Sequence, residues 1–571
     1  MSYQAPIRDL AFCLEHIIGA NRLAETELFA DATEETRAAI LDEAGKLAAS
    51  VLAPTNRNGD LTPARLENGV VRASPGFADA YRQIAEGGWV GLAAGTEHGG
   101  MGLPLTLGTA VGEMFASANL GLSLCPLLSQ GQIEALEAHA SDEIKALYLP
   151  KLISGEWTGT MNLTEPQAGS DVGALASRAE PKGDGTYAVS GQKIYISWGD
   201  HDIAENVCHL VLARLPDAAP GTRGLSLFLV PKFIPDADGK PGVANALKVV
   251  SLEHKMGLHG SPTAVMEYSG AKGWLIGAPH KGMAAMFTMM NNARLGVGVQ
   301  GIGAADGAYQ HALAYALDRK QGQTPVKGQG TIVDHADVRR MLLTMKADLF
   351  AARSIALACA VALDMQKAGQ GPEWAARASL LTPIAKAFGT DTGIRVSEIG
   401  VQVHGGMGFI EETGAAQYSR DVRVTAIYEG TNGIQAMDLV ARKMMDGGEA
   451  AFSLLDEVEA TAEAARAKLP ELGETVWQAA ETLREATEWL VEQSDMNVRF
   501  SGAVPYLTAF ARVLGGHYHL KAAMEDAEDG PRLKLARFYI NRLLPEHVGL
   551  LSQAMAGSAD LYALTVEELS A

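Results

Sequence analysis

A chain of 571 residues is long enough for several domains and an ample core. Hydrophobic residues make up 47% and aromatics only 6%, with 20 Met and 62 Gly, a composition that favours helices over a β-sandwich. With 47 basic and 67 acidic residues the formal charge is −20, which argues against a nucleic-acid partner, whose phosphates need clustered Lys and Arg.

Cys13, Cys125, Cys208 and Cys359 lie far apart with no Cys-x-x-Cys pair, so free thiols in a reducing compartment are expected. The opening Met-Ser-Tyr-Gln-Ala-Pro-Ile lacks a basic region followed by an apolar core. No run of about twenty uncharged apolar residues occurs. A cytoplasmic location is the expectation.

From about residue 10 to 160, Ala, Leu and Glu recur at three- and four-residue intervals, predicting a helical first domain over 1–160. The Gly-rich stretch at 98–104 reads as an inter-helix turn. The texture changes over 161–280. Short β-rich runs at 187–190, 193–197, 207–212, 225–230 and 265–268 are separated by Gly, Pro and Asp turns, as in a small antiparallel barrel or sandwich. After Gly282 a helical pattern returns and fills a third domain, 281–450. Beyond the Gly447-Gly448 break, 451–571 reads as a further helical domain.

Gly296-Val-Gly298-Val-Gln-Gly301 spells a dinucleotide-binding fingerprint with Asp318 about twenty residues on. That reading needs a strand before it, and residues 284–295 are Ala/Met/Asn-rich with helical spacing. Small residues that let a helix approach its neighbours are the better account. The histidines, including His254, His259, His335 and His404, show no metal-ligand spacing.

The carboxylate that stands out is Glu429, in Arg420-Asp-Val-Arg-Val-Thr-Ala-Ile-Tyr-Glu-Gly-Thr-Asn-Gly-Ile-Gln435. Val422, Val424 and Ala426 before it have extended, partly alternating spacing. After it, Gly430 and the potential cap Thr431 open a helical pattern with Ile434, Met437, Ala441 and Met444 on one face. A carboxylate at the mouth of such a turn, with Gly beside it for close approach, is placed to act as a base.

The segment ending in Tyr428-Glu-Gly-Thr431 resembles the catalytic segment of the acyl-CoA dehydrogenases. Two upstream signatures point the same way. Met161-Asn-Leu-Thr-Glu-Pro-Gln-Ala-Gly-Ser170-Asp is similar to the family's flavin-cradling loop, and Gln402-Val-His-Gly-Gly406-Met-Gly-Phe is similar to its Gly-rich phosphate loop. The three occur in family order, and the resemblance runs end to end. It implies an α+β fold: an N-terminal helical domain, a middle β-domain, a helical bundle domain and, in one subgroup, an additional C-terminal helical domain. The opening of the chain is similar to that subgroup's, for which short to medium acyl chains, thioether-containing ones among them, are the expectation and branched, long or aromatic acyl groups the alternative.

The resemblance implies FAD as cofactor, an acyl-CoA substrate, an electron-transfer flavoprotein as acceptor and a homo-oligomer, with a dimer expected. It implies Glu429 as the base that removes the α-proton, its own N–H helping to hold the thioester carbonyl. Some family members place the base on a helix just before the position of Arg294; here that residue is Ala293, which cannot take a proton. For the cofactor it implies Met161, Leu163, Thr164, Gly169 and Ser170 over the flavin and pyrophosphate. Tyr195 and Ser197 stand where relatives carry an aromatic and a hydroxyl beside the flavin. Arg319 and Gln321, with Gln402, Gly405 and Gly406, match residues that reach the FAD of a neighbouring subunit. Gly430, Thr431 and Asn432 follow the base toward the flavin phosphates. Ser170, Asn291 and Arg294 match positions near CoA or the catalytic loop. The implied reaction is α,β-dehydrogenation of an acyl-CoA. Rivals on the same fold are oxidation of other acyl groups or nitroalkanes, and a DNA-associated flavoprotein that the −20 charge disfavours.

Overall fold

The structure, a computed structural model, describes residues 3–571. Contacts divide the chain into two compact units: Asp42–Pro104 with Met114–Ala293, and the N-terminal stretch up to Leu41 with Leu105–Glu113 and Arg294–Ala571.

The first unit combines helices and a sheet. Phe77, Ala80, Tyr81 and Ile84 bury one stripe of the Phe77–Glu86 helix, the spacing of a helix with one apolar face. The Leu120–His139 and Asp142–Ile153 helices start at side-chain caps, Asn119 accepting from the Leu122 amide and Ser141 from that of Ile144. Two short strands, β1 (Arg65–Glu67) and β2 (Val70–Arg72), form an antiparallel hairpin inside the stretch expected to be helical. Its turn is Asn68-Gly69, both at positive φ (51° and 79°), the pair that two-residue hairpins favour.

The main sheet contains β3 (Trp157–Asn162), β4 (Arg178–Pro181), β5 (Tyr187–Ser197), β6 (Asn206–Arg214) and β7 (Leu225–Pro231). After a small hairpin of β8 (Phe233–Pro235) and β9 (Pro241–Ala244) come β10 (Leu247–Leu252) and β11 (Thr263–Ile276). Pairings run β11–β5–β4–β6–β7 and back to β11, closing a ring, while β10 extends it beside β11 and β3 beside β6. Val189, Ile196, Val211, Phe228, Val230 and Met266 fill its core. The expected antiparallel pattern needs correction at β6, because β3 runs parallel to it from Trp157↔Asn206 to Asn162↔Val211 and β4 meets it parallel at Arg178↔Arg214. Alternation in sequence marks a strand's two faces and says nothing of its direction.

In the second unit the long Ala336–Lys367 and Pro372–His404 helices pack with the 294–318 portion of the Gly282–Asp318 helix. The decoy glycines make that packing possible. A Cβ on Gly298 would stand 2.6 Å from the Ala385 carbonyl oxygen, and one on Gly301 2.4 Å from that of Gly389. Gly389 and Gly393 return the contact against Gly298 and Gly301, so backbone lies directly on backbone. The last five sizeable helices, Glu449–Ala465, Pro470–Glu492, Ala503–Met524, Pro531–Arg542 and Glu546–Ala554, belong to the same unit. Arg512 ties them to the bundle through Asp348 at 2.5 Å, and Arg532 reaches Asp9 of the N-terminal stretch at 3.0 Å.

Among the described residues no helix is long and apolar enough to cross a membrane. All four cysteines are free and buried.

Candidate active site

The segment before Glu429 is helical rather than extended: Ala415–Val422 is an α-helix and Arg423–Ala426 a 3-10 turn. Three apolar residues at alternate positions fit that tight turn as readily as a strand. Tyr428 and Ile427 close it by donating to the Val424 carbonyl. Glu429 follows at φ 55° and Gly430 at φ 84°, two consecutive left-handed residues that reverse the chain. Thr431 then caps the Asn432–Val440 helix, its hydroxyl accepting from the Ile434 amide, as expected. The expected apolar face is not the buried one. Gln435, Ala436, Leu439 and Val440 are buried, Met437 is 41% exposed, and the helix ends before Ala441.

Glu429 is half-buried, and its carboxylate has no hydrogen bond or ion pair with another described residue. Burial pushes its carboxyl up to about 7, against the pull of the Arg294 and Lys386 charges. The Glu429 N–H likewise donates to no other described residue. The turn thus presents an amide donor and a carboxylate poised near neutrality.

Buried polar groups hold the turn. The Tyr428 hydroxyl donates to Gln300 Oε1. Gln435 Nε2 donates to the carbonyls of Glu429 and Gly430 at 3.3 and 3.4 Å. Lys386 Nζ donates to Asn432 Oδ1 at 2.9 Å, and Asn432 Nδ2 donates to Thr390 Oγ1 at 2.9 Å and Asp391 Oδ1 at 2.7 Å. The Asn432 side chain is therefore taken up by protein partners. Burial draws Lys386 down to about 8. Arg294 is buried with Nη1 3.8 Å from Asp438 Oδ2. Asn291 lies one helical turn earlier and is exposed.

The expected residues at 161–170 and 195–197 lie in the first unit. β3 delivers Met161 and leads into the loop of Leu163 and Thr164, both half-buried. The Ile194 amide donates to the Thr164 carbonyl and Lys193 Nζ to that of Leu163 at 2.9 Å, so β5 holds the loop beside Tyr195 and Ser197. Tyr195 sits at φ 60° and is 61% exposed. Glu165, buried below the loop, accepts from Lys193 at 2.8 Å and from the Ala176 and Ser177 amides. Burial alone would raise this carboxyl; the Lys193 charge and the amide hydrogen bonds hold it well below the usual range. Gly169 and Ser170 are exposed, and nothing lies within 4 Å of a Cβ on Gly169. An open loop with accessible amides beside an exposed aromatic ring fits a flat, phosphate-bearing cofactor. Trp198, flanking this region, is fully buried, stacked on Phe77 and donating to the Gly121 carbonyl, so it serves the core.

Arg319 and Gln321 lie just past the end of the Gly282–Asp318 helix and are exposed; the Arg319 carbonyl accepts from Ile332 and that of Gln321 contacts His335 Nε2 at 2.7 Å. Gln402 is exposed near the end of the Pro372–His404 helix. Gly405 and Gly406 open the 3-10 turn Gly405–Phe409, and neither has an atom within 4 Å of a Cβ position. Below them His404 stacks between His311 and Tyr315, with ring centroids 4.8 and 4.4 Å away. Gln300, Gln435, Lys386, Lys193 and Glu165 were not singled out from the sequence. A lysine amid apolar residues of a strand, as in Gly191-Gln-Lys-Ile-Tyr-Ile, was the available signal for the ion pair. Among the described residues no three His, Cys, Asp or Glu side chains are grouped to hold a metal ion.

Comparison with known proteins places the chain in a family. The chain matches "Acyl-CoA dehydrogenase, N-terminal domain" over 33–156, the family's middle domain over 160–271 and its C-terminal domain over 280–445. Residues 454–565 match "Acetyl-CoA dehydrogenase C-terminal like". The chain belongs to the acyl-CoA dehydrogenase family, whose members are FAD-dependent oxidoreductases. It is 45% identical to 3-methylmercaptopropionyl-CoA dehydrogenase of Ruegeria pomeroyi over 548 residues, 92% of each chain. It is 36% identical to a butyryl-CoA dehydrogenase of Syntrophomonas wolfei, covering 77% of this chain and 76% of that one. The structure of Caenorhabditis elegans ACDH-11 in complex with C11-CoA shares the fold at TM-score 0.80 and 22% identity, over 95% of this chain and 92% of that one.

Proposed function

We propose that this protein dehydrogenates a short- to medium-chain acyl-CoA between its α- and β-carbons, with 3-methylmercaptopropionyl-CoA the preferred substrate and a trans-2-enoyl-CoA the product. The observation that carries the reading is Glu429: a half-buried carboxylate without a hydrogen-bonding partner among the described residues, drawn up to about 7 in a left-handed turn. The α-proton of a thioester is weakly acidic, so its removal needs both a base and a donor for the charge that develops on the carbonyl oxygen. Glu429 supplies both, its carboxylate taking the proton and its free N–H meeting the oxygen. FAD, when bound, supplies the acceptor for the β-hydride. Arg294 and Lys386 keep the base ionisable despite burial.

The cofactor would be held by Met161, Leu163, Thr164, Gly169, Ser170, Tyr195 and Ser197, and by the amides of Gly430, Thr431 and Asn432. Arg319, Gln321, Gln402, Gly405 and Gly406 would complete the site of a second copy, in a homodimer. Ser170, Asn291 and Arg294 are assigned to the CoA side, an electron-transfer flavoprotein to the outgoing electrons, and the cytoplasm to the location. The substrate assignment rests on the 45% relative. Steady-state kinetics with 3-methylmercaptopropionyl-, butyryl- and octanoyl-CoA test it. The highest kcat/KM is expected for the thioether substrate, with an acidic limb near pH 7; preference for octanoyl-CoA would overturn the acyl assignment.

A further inference from the structure

The catalytic turn holds two left-handed residues in succession, one of them not glycine, a conformation that L-residues adopt only when their surroundings enforce it. Two fully or nearly buried glutamines provide that enforcement. Gln435, on the helix that follows, reaches back with one amide nitrogen to the carbonyls of both Glu429 and Gly430, at 3.3 and 3.4 Å. Gln300, on the Gly282–Asp318 helix, accepts from the Tyr428 hydroxyl. Each glutamine keeps its other amide atom, Gln300 Nε2 and Gln435 Oε1, buried without a hydrogen-bonding partner. Gly430 is fitted to the same device, because a Cβ there would lie 2.7 Å from Gln435 Nε2.

We propose that Gln435 is a positioning residue for the reaction: by clamping the Glu429 and Gly430 carbonyls it fixes the left-handed turn that turns the Glu429 amide and carboxylate together toward the thioester. Gln300 seconds it through Tyr428. The assignment rests on Glu429 being the base. A peptide unit has its carbonyl and N–H on opposite sides, so holding the Glu429 and Gly430 carbonyls fixes the planes of the Gly430 and Thr431 amides, and the Glu429 amide and side chain are constrained through the Glu429 Cα that joins the first of those planes. Without the clamp the turn can relax to negative φ, which swings the carboxylate into water and the amide away from the oxygen it must meet.

The test is anaerobic flavin reduction by an acyl-CoA substrate across pH, in the FAD-loaded full-length protein. Gln435→Met preserves volume and removes the donor. A misplaced base is expected to lower the limiting rate roughly 10- to 100-fold with substrate affinity little changed. Because a released carboxylate is hydrated, the acidic limb should also move down by about one pH unit. Gln435→Glu keeps the shape but loses its donor when ionised, so its rate should fall with rising pH where that of the natural protein rises. A loss of rate that merely follows lost flavin or lowered thermal stability, with the acidic limb unmoved in both variants, would overturn the proposal. Glu429→Gln in parallel separates the two claims: if it reduces flavin normally, the base assignment fails whatever Gln435 does.

Discussion

Glu165, in the 164–170 loop, accepts from Lys193 and from the Ala176 and Ser177 amides, whereas the Glu429 carboxylate meets no hydrogen-bond donor among the described residues. Burial pushes both carboxyls toward the protonated form. In Glu165 the partners prevail and the group stays ionised; in Glu429 they act only at longer range, from Arg294 and Lys386, and the group sits at about 7. The contrast separates two uses of one side chain. A fully partnered carboxylate is a staple with no proton to exchange near neutrality. A carboxylate denied partners is costly to hold, and that cost makes it useful as a base.

The contrast breaks most severely at the staple. Lys193→Met leaves Glu165 buried without its counter-charge, and removing one member of a buried pair costs roughly 3–5 kcal/mol. The variant should unfold at clearly lower temperature and retain less flavin per chain, both read directly by thermal unfolding and flavin absorbance. At Glu429, the proposed base, the sign reverses. The folded-state pKa of Glu429, about 7, lies above its ordinary 4.5, so the native state binds the proton more tightly and loses stability as pH rises through that window. Glu429→Gln should therefore be the more stable protein at pH 8, by roughly 1–3 kcal/mol, with the advantage vanishing near pH 4. Thermal unfolding of both proteins across pH checks it; parallel curves would contradict the perturbed carboxyl. The smallest effect belongs to Thr431→Ala, which removes the cap of the helix after the base and should cost about 1 kcal/mol with the cofactor retained.

The turn that carries the proposed base was the legible part. Glu429, its glycine and its capping threonine occupy adjacent positions, and the conformation they need is written in those three residue types. The Gly298 and Gly301 contacts were legible too, because glycine in a helix points to close packing once the preceding segment rules out a strand. The supports were harder to see. Gln435 is six residues from Glu429 and Gln300 more than a hundred, and a glutamine in a helix carries no mark of which way its amide turns. Lys193 and Glu165 become a pair only when β5 is laid beside the loop after β3. Apolar alternation at 422–426 misled because five residues are too few to distinguish a strand from a helical turn, and the β1–β2 hairpin was passed over although Asn68-Gly69 signals it.

The most direct measurement is the rate at which an acyl-CoA bleaches the flavin of the protein in the absence of oxygen, compared between the natural chain and Glu429→Gln. Loss of the base is expected to slow bleaching roughly 100- to 10,000-fold while the variant still carries its cofactor and binds the thioester. Bleaching at an undiminished rate in the flavin-loaded variant would contradict the account.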